Sequence, residues 1–163
     1  YKSLCNYIHP NFFLLENNAY EENIKIENVR NILRSLNKST YYSNIKIDKI
    51  YINKASNDCI DLSSGNYKLG ELNLSECGDK ALSVGEKSFV KLNDLQIFKS
   101  TIGLSSKDSS IISINNAEIR KTELCLEAKR KKQEFSGGII NLNHHNCNDS
   151  PINIDPGSFI NYY

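Results

Sequence analysis

Apolar and polar residues alternate along this chain in short bursts, and the bursts recur about every 22 residues. One full copy reads Tyr67-Lys68-Leu69, a two-residue corner Gly70-Glu71, then Leu72-Asn73-Leu74. The copy before it is Ile45-Lys46-Ile47, Asp48-Lys49, Ile50-Tyr51-Ile52. The copies after it begin at Val90-Lys91-Leu92, Ile112-Ser113-Ile114 and Ile140-Asn141-Leu142. An incomplete copy, Ile24-Lys25-Ile26, precedes them all. A third alternating unit follows in each later copy: Ile60-Asp61-Leu62, Leu82-Ser83-Val84, Ile102-Gly103-Leu104, Leu124-Cys125-Leu126 and Ile152-Asn153-Ile154.

Alternation with period two means strands, each with one face turned inward. Three such strands per repeat, joined by corners rich in Ser, Gly, Asn, Asp and Lys, leave no room for helical crossovers. Each strand then pairs with its equivalent one turn away, at about 4.8 Å. The pattern therefore predicts an all-β chain: a single-stranded, right-handed parallel β-helix of about five to six coils, with three short strands per coil. A leucine-rich repeat is the competing fold, since Leu69-x-x-Leu72-x-Leu74-x-x-Cys77 fits its strand. That repeat calls for Asn where Ala55, Cys77, Ser100 and Thr122 stand, and it has no third alternating unit. A solenoid has open ends that need covering. Residues 1–22, with Phe12-Phe13-Leu14-Leu15, are the expected N-terminal cap, and 23–163 the repeats, interrupted by an insertion at 127–138. Phe159-Ile160-Asn161-Tyr162 reads as one more strand.

Composition narrows the function without fixing it. The 163 residues suit one domain with a core. Twenty Lys and Arg against 19 Asp and Glu give a net charge of +1, unlike a general nucleic-acid binder. No apolar run is long enough to span a membrane. The absence of an initiating Met at Tyr1 suggests a fragment or a processed piece. The surplus of Asn, Lys, Ile and Ser reads partly as nucleotide bias. Five cysteines (Cys5, Cys59, Cys77, Cys125, Cys147) leave an odd one in a monomer, and no CxxC pair suggests zinc. They read as small buried apolar residues.

Three groups of residues carry candidate chemistry. The outward residue of the first strand is Lys in four successive coils: Lys25, Lys46, Lys68 and Lys91. Stacked like charges suit a polyanion lying along the axis, such as an acidic polysaccharide; equally, Glu27, Asp48, Glu71 and Asp94 in the adjacent corners would neutralise them. The insertion carries Lys129, Arg130, Lys131 and Lys132, a run able to grip anionic groups or simply to face solvent. The carboxylates Asp58, Asp61 and Asp79, with Glu86 and Asp108, are the candidates for acid–base work on a glycosidic bond, and also ordinary turn formers. His144-His145-x-Cys147 resembles a metal motif, but the register places His144 in a corner and His145 and Cys147 in inward columns below Ala117 and Ile119, so no metal or other cofactor is expected.

Residues 44–160 resemble the pectate-lyase-like superfamily of parallel β-helices. Asn57-Asp58-Cys59-Ile60-Asp61-Leu62-Ser63-Ser64-Gly65 looks like the Asp-Asp-Cys strand of polygalacturonases, which implies a catalytic carboxylate at Asp58. Asn57 stands where that family has its partner Asp, the next coil reads Gly78-Asp79-Lys80 where it has Gly-His-Gly, and the following coil reads Ile102-Gly103-Leu104-Ser105-Ser106-Lys107 where it has Arg-x-Lys. Gly78 through Ser88, followed by Ile102 through Ser110, is similar to bacterial β-helix regions, some attached to CotH-type, spore-coat-kinase-like domains. No Gly-rich phosphate loop accompanies it. The expectation is a non-catalytic module of a bacterial surface or envelope protein, or of a phage, binding glycan or acting as a spacer. The alternative is a polysaccharide-active hydrolase or lyase using Asp58, Asp61 and Asp79. Association through the open helix ends is a further route to partners.

Overall fold

A computed structural model describes Phe13–Leu14 and residues 43–163. Among the described residues there is no helix; all regular structure is parallel strand. The strands are β1 (Phe13–Leu14), β2 (Ser43–Ala55), β3 (Ile60–Ser63), β4 (Gly65–Gly85), β5 (Phe89–Lys107), β6 (Ile111–Lys129), β7 (Ile139–Asn146), β8 (Ile152–Ile154) and β9 (Phe159–Tyr162). The main path of pairing is β1-β2-β4-β5-β6-β7-β9, with β3 on β4 and β8 on β6. Strands pair with their equivalents one turn away, which makes a parallel β-solenoid of about five turns. Lys25 and most of the expected cap lie outside the described residues; Phe13 and Leu14 pair with Ile50 and Tyr51.

The predicted columns of the first two segments are present in register. Ile47, Leu69, Leu92, Ile114 and Leu142 stack as one column, and Ile52, Leu74, Ile97 and Ile119 as another. Nearly all of these are fully buried, so removal of apolar surface from water drives coil-on-coil stacking. Tyr67 fits the same interior because its hydroxyl donates to the carbonyl of Ser63 at 2.9 Å. The two-residue corner also stacks. Gly70 sits there without a side chain because a Cβ would lie 2.2 Å from the carbonyl oxygen of Asp48. In later coils Asn93, Asn115 and Asn143 take over that position, the Asn115 amide donating to Asn93 at 3.2 Å and the Asn143 amide to Asn115 at 3.1 Å.

Within a coil the strands are longer than three short units imply. β4, β5 and β6 run for 21, 19 and 19 residues, turning corners inside the strand. At one of those corners Lys54, Glu76, Lys99 and Lys121 stand at positive φ. Such backbone is uncommon for residues other than Gly, Asn and Asp, and the stacked main-chain bonds on either side hold it.

The third segment differs from its expected phase. Leu82-Ser83-Val84 is followed in the stack by Leu104-Ser105-Ser106 and Leu126-Glu127-Ala128, not by Ile102-Gly103-Leu104 and Leu124-Cys125-Leu126. The β4–β5 step is 23 residues up to Cys77 and 22 from Lys80, where the register shifts. The inward place after Val84 goes to Ser106, whose hydroxyl donates to the carbonyl of Ser110 at 3.1 Å. A satisfied serine and an alanine thus fill positions where two larger apolar residues were expected.

The cysteines also differ from expectation. Cys59 bonds Cys77 and Cys125 bonds Cys147, with Cα separations of 5.4 and 5.6 Å. Their sequence separations, 18 and 22, are close to one coil, so each bond ties a coil to the next.

Candidate functional site

Three outward faces run along the solenoid, and each gathers different chemistry. The first-segment face carries the expected ladder: Lys46, Lys68 and Lys91 occupy paired positions on β2, β4 and β5. All three are exposed. Lys46 lies 3.7 Å from Asp48. Lys68 and Lys91 have no ion pair among the described residues. Of the corner acids expected to neutralise the ladder, Asp48 lies beside Lys46, Glu27 falls outside the described residues, and Glu71 is engaged elsewhere. Glu71 takes Lys49 at 2.7 Å, the Tyr51 hydroxyl at 2.9 Å and the Asn73 amide at 2.8 Å. These contacts, the Lys49 hydrogen bond first, hold the Glu71 carboxyl below its ordinary value. Asp94 accepts from Asn116 at 2.8 Å. Beyond Lys91 the ladder continues as Ser113, Asn141 and Asn161, linked by side-chain hydrogen bonds of 3.3 and 2.9 Å.

The second-segment face holds a shallow groove of about 560 Å³. One wall is the ladder Tyr51, Asn73, Gln96, Glu118; the other is Asn53, Ser75, Phe98, Arg120. Sequence reasoning missed it. These residues alternate with Ile52, Leu74 and Ile97, so their outward direction was legible, but mixed polar residues form no pattern that announces a concavity.

The third face brings together the expected carboxylates. Asp58 accepts the main-chain N–H of Lys80 at 3.0 Å, and its carboxylate lies 3.8 Å from the Lys80 ammonium. The same ammonium donates to Asp79. Burial pushes the Asp58 carboxyl above its ordinary value, against the lowering effect of Lys80. Burial draws Lys80 down, but the hydrogen bond to Asp79 and the charge of Asp58 outweigh it and hold the ammonium up. Asp61 points outward and lies 3.9 Å from the Lys107 ammonium. So Asp58 and Asp79 share one lysine, while Asp61 pairs with another. Further along, Glu127, only 6% exposed, accepts from Ser105 at 2.7 Å and from Lys129 at 2.9 Å.

The basic run of the insertion is tied down rather than free. Lys129 is held by Glu127 and Lys132 by Glu86. Asp108, 1% exposed, accepts the main-chain N–H groups of Lys131 and Lys132 at 2.7 and 2.8 Å. The Lys87 ammonium sits 5.7 Å from the centre of the Phe135 ring. Arg130 and Lys131 are exposed and have no ion pair among the described residues.

His145 pairs with Ala117 as expected, but it is exposed and stacks on Tyr162 at 4.5 Å, because only β9 lies beyond β7 there. Cys147 is in a disulfide and unavailable as a ligand. Among the described residues no three His, Cys, Asp or Glu side chains converge as a metal site would require. No helix among them is long and apolar enough to cross a membrane.

The fold and these faces define the class: a parallel β-solenoid presenting stacked polar ladders. No family model matches the chain, and neither does any curated protein or solved structure.

Proposed function

We propose that this protein is a glycan-binding module, with an acidic polysaccharide as the ligand of its lysine face. One observation carries the reading. Lys68 and Lys91 sit on adjacent paired strands, both exposed, with no ion pair among the described residues. Two like charges about 5 Å apart repel each other, and a polyanion lying along the axis would relieve that repulsion. Lys46 and the Ser113, Asn141, Asn161 continuation extend the same line with hydrogen-bonding groups. The two disulfides favour a protein that works in an oxidising compartment, which accords with a bacterial surface, envelope or phage setting. The likenesses to polygalacturonases and to CotH-associated regions rest on sequence motifs alone.

A second reading has one specific observation behind it. Asp58, raised by burial beside an Asp79 that shares its lysine, has the makings of an acid paired with a base. Incubation with polygalacturonate followed by size-exclusion chromatography separates the two. Co-elution with intact polymer is expected, weakening as salt rises, with both the affinity and its salt slope reduced in Lys68→Gln/Lys91→Gln. A shortened polymer would overturn the binding-module reading in favour of the enzyme. Binding unchanged in the double variant would remove the lysine face as the site.

A further inference from the structure

We infer that the groove on the second-segment face is a separate site for an uncharged, linear polysaccharide. The inference shares with the proposal above only that the ligand is a glycan; it stands on different residues and a different kind of contact.

The groove crosses β2, β4, β5 and β6, so it runs along the solenoid axis for three coil steps, roughly 14 Å at the usual strand spacing. That shape suits a chain-like ligand rather than a compact one. Its charges are already satisfied. Glu118 accepts from Arg120 at 2.8 Å and from Asn146 at 3.0 Å, and Glu71 beneath the Tyr51 end is occupied by Lys49. A charged ligand would find no unpaired partner among the lining residues and would displace the Glu118–Arg120 pair at a desolvation cost; the Lys121 ammonium at the rim is turned onto the Phe98 ring.

What the groove does offer is an amide and a ring side by side. Gln96 is exposed at its centre, and its amide has no protein partner among the described residues. A carboxamide presents a donor and an acceptor together, which matches adjacent hydroxyls of a sugar. Two residues on, Phe98 is 43% exposed, with the Lys121 ammonium 4.7 Å from its ring centre. An exposed aromatic ring beside an amide free to bond a ligand fits the C–H face and hydroxyl edge of a pyranose. An extended peptide fits less well. β4 and β5, which form the middle of the groove, are paired on both sides, so no main-chain edge there is open to an added strand.

The test is affinity electrophoresis of the full chain through gels containing mixed-linkage β-glucan, glucomannan or xylan, at low and high salt. Retardation by at least one of the three is expected, unchanged by salt. Gln96→Ala/Phe98→Ala should weaken it at least about tenfold, a difference of about 1.4 kcal/mol. Phe98→Tyr should retain it, and Lys68→Gln/Lys91→Gln should leave it intact. Circular dichroism of each variant establishes that the fold is kept. Retardation by none of the three, or retardation kept in Gln96→Ala/Phe98→Ala, overturns the inference. Failure of the lysine face appears separately, as loss of polygalacturonate binding alone.

Discussion

Asp58 shows how a single residue here carries a signature that sequence does not. Its carboxylate is held by the Lys80 main chain and lies beside the Lys80 ammonium, yet burial dominates and raises its affinity for a proton. The folded protein therefore binds that proton more tightly than the unfolded chain. By linkage, the stability associated with Asp58 is present below its unfolded value, near 3.8, and is lost as pH rises through its higher folded value. Denaturant midpoints across the acidic range should show that decline in the wild type and not in Asp58→Asn. A decline of equal size in the variant would assign it to another group. That Asp58, Asp61 and Asp79 belong to neighbouring coils was legible from the repeat. That Asp58 and Asp79 meet on one lysine was not, because Lys80 lies at the register shift between the second and third segments.

At the scale of elements, the first two segments were legible because each alternates a strong apolar residue with a polar one for a full strand. The third segment was misphased because its true inward residues include Ser106 and Ala128, while Gly103 and Cys125 stand between stronger apolar neighbours. Apolar strength pointed one way, and the hydrogen-bonded register pointed the other. The insertion after β6 was legible as a length anomaly but not as a fixed structure. Asp108 is what fixes it: a buried carboxylate closing on two main-chain N–H groups of the loop. Hydrogen bonds to a charged acceptor contribute about 1.5–3 kcal/mol each. Asp108→Ala should cost roughly 2–4 kcal/mol and make residues 130–138 exchange their amide hydrogens early, as read by hydrogen–deuterium exchange. Unchanged protection in that loop would mean that Gly138 and the Ser109–Ser136 hydrogen bonds suffice to hold it.

The whole molecule is a stack, and its cross-links follow the stack. Cys59–Cys77 and Cys125–Cys147 each close a loop of about one coil, and closures of that size stabilise by about 3 kcal/mol apiece. Reduction of both should lower the melting temperature by roughly 10–20 °C for a chain of this length, measured by circular dichroism with and without reductant. An unchanged melting curve would show that coil packing alone sets the stability. The pairing was hidden in the sequence because the partners occupy different columns and meet only across a corner. The last coil is where packing is thinnest: Ile152, Ile154, Phe159 and Tyr162 are exposed there.

Coil length in this protein is not constant. Paired residues are 22 apart between β2 and β4, 23 apart at the start of β4–β5, 28 apart between β6 and β7 and 20 apart between β7 and β9. The columns nevertheless stay in line, because the extra residues are absorbed at corners while the strands keep their main-chain pairing. The outer faces therefore act as a ruler whose marks are set by hydrogen bonds and not by residue count. Two groups on neighbouring marks stay one strand spacing apart however many residues lie between them, so residues can be added at an edge without moving the side chains that stand on those marks.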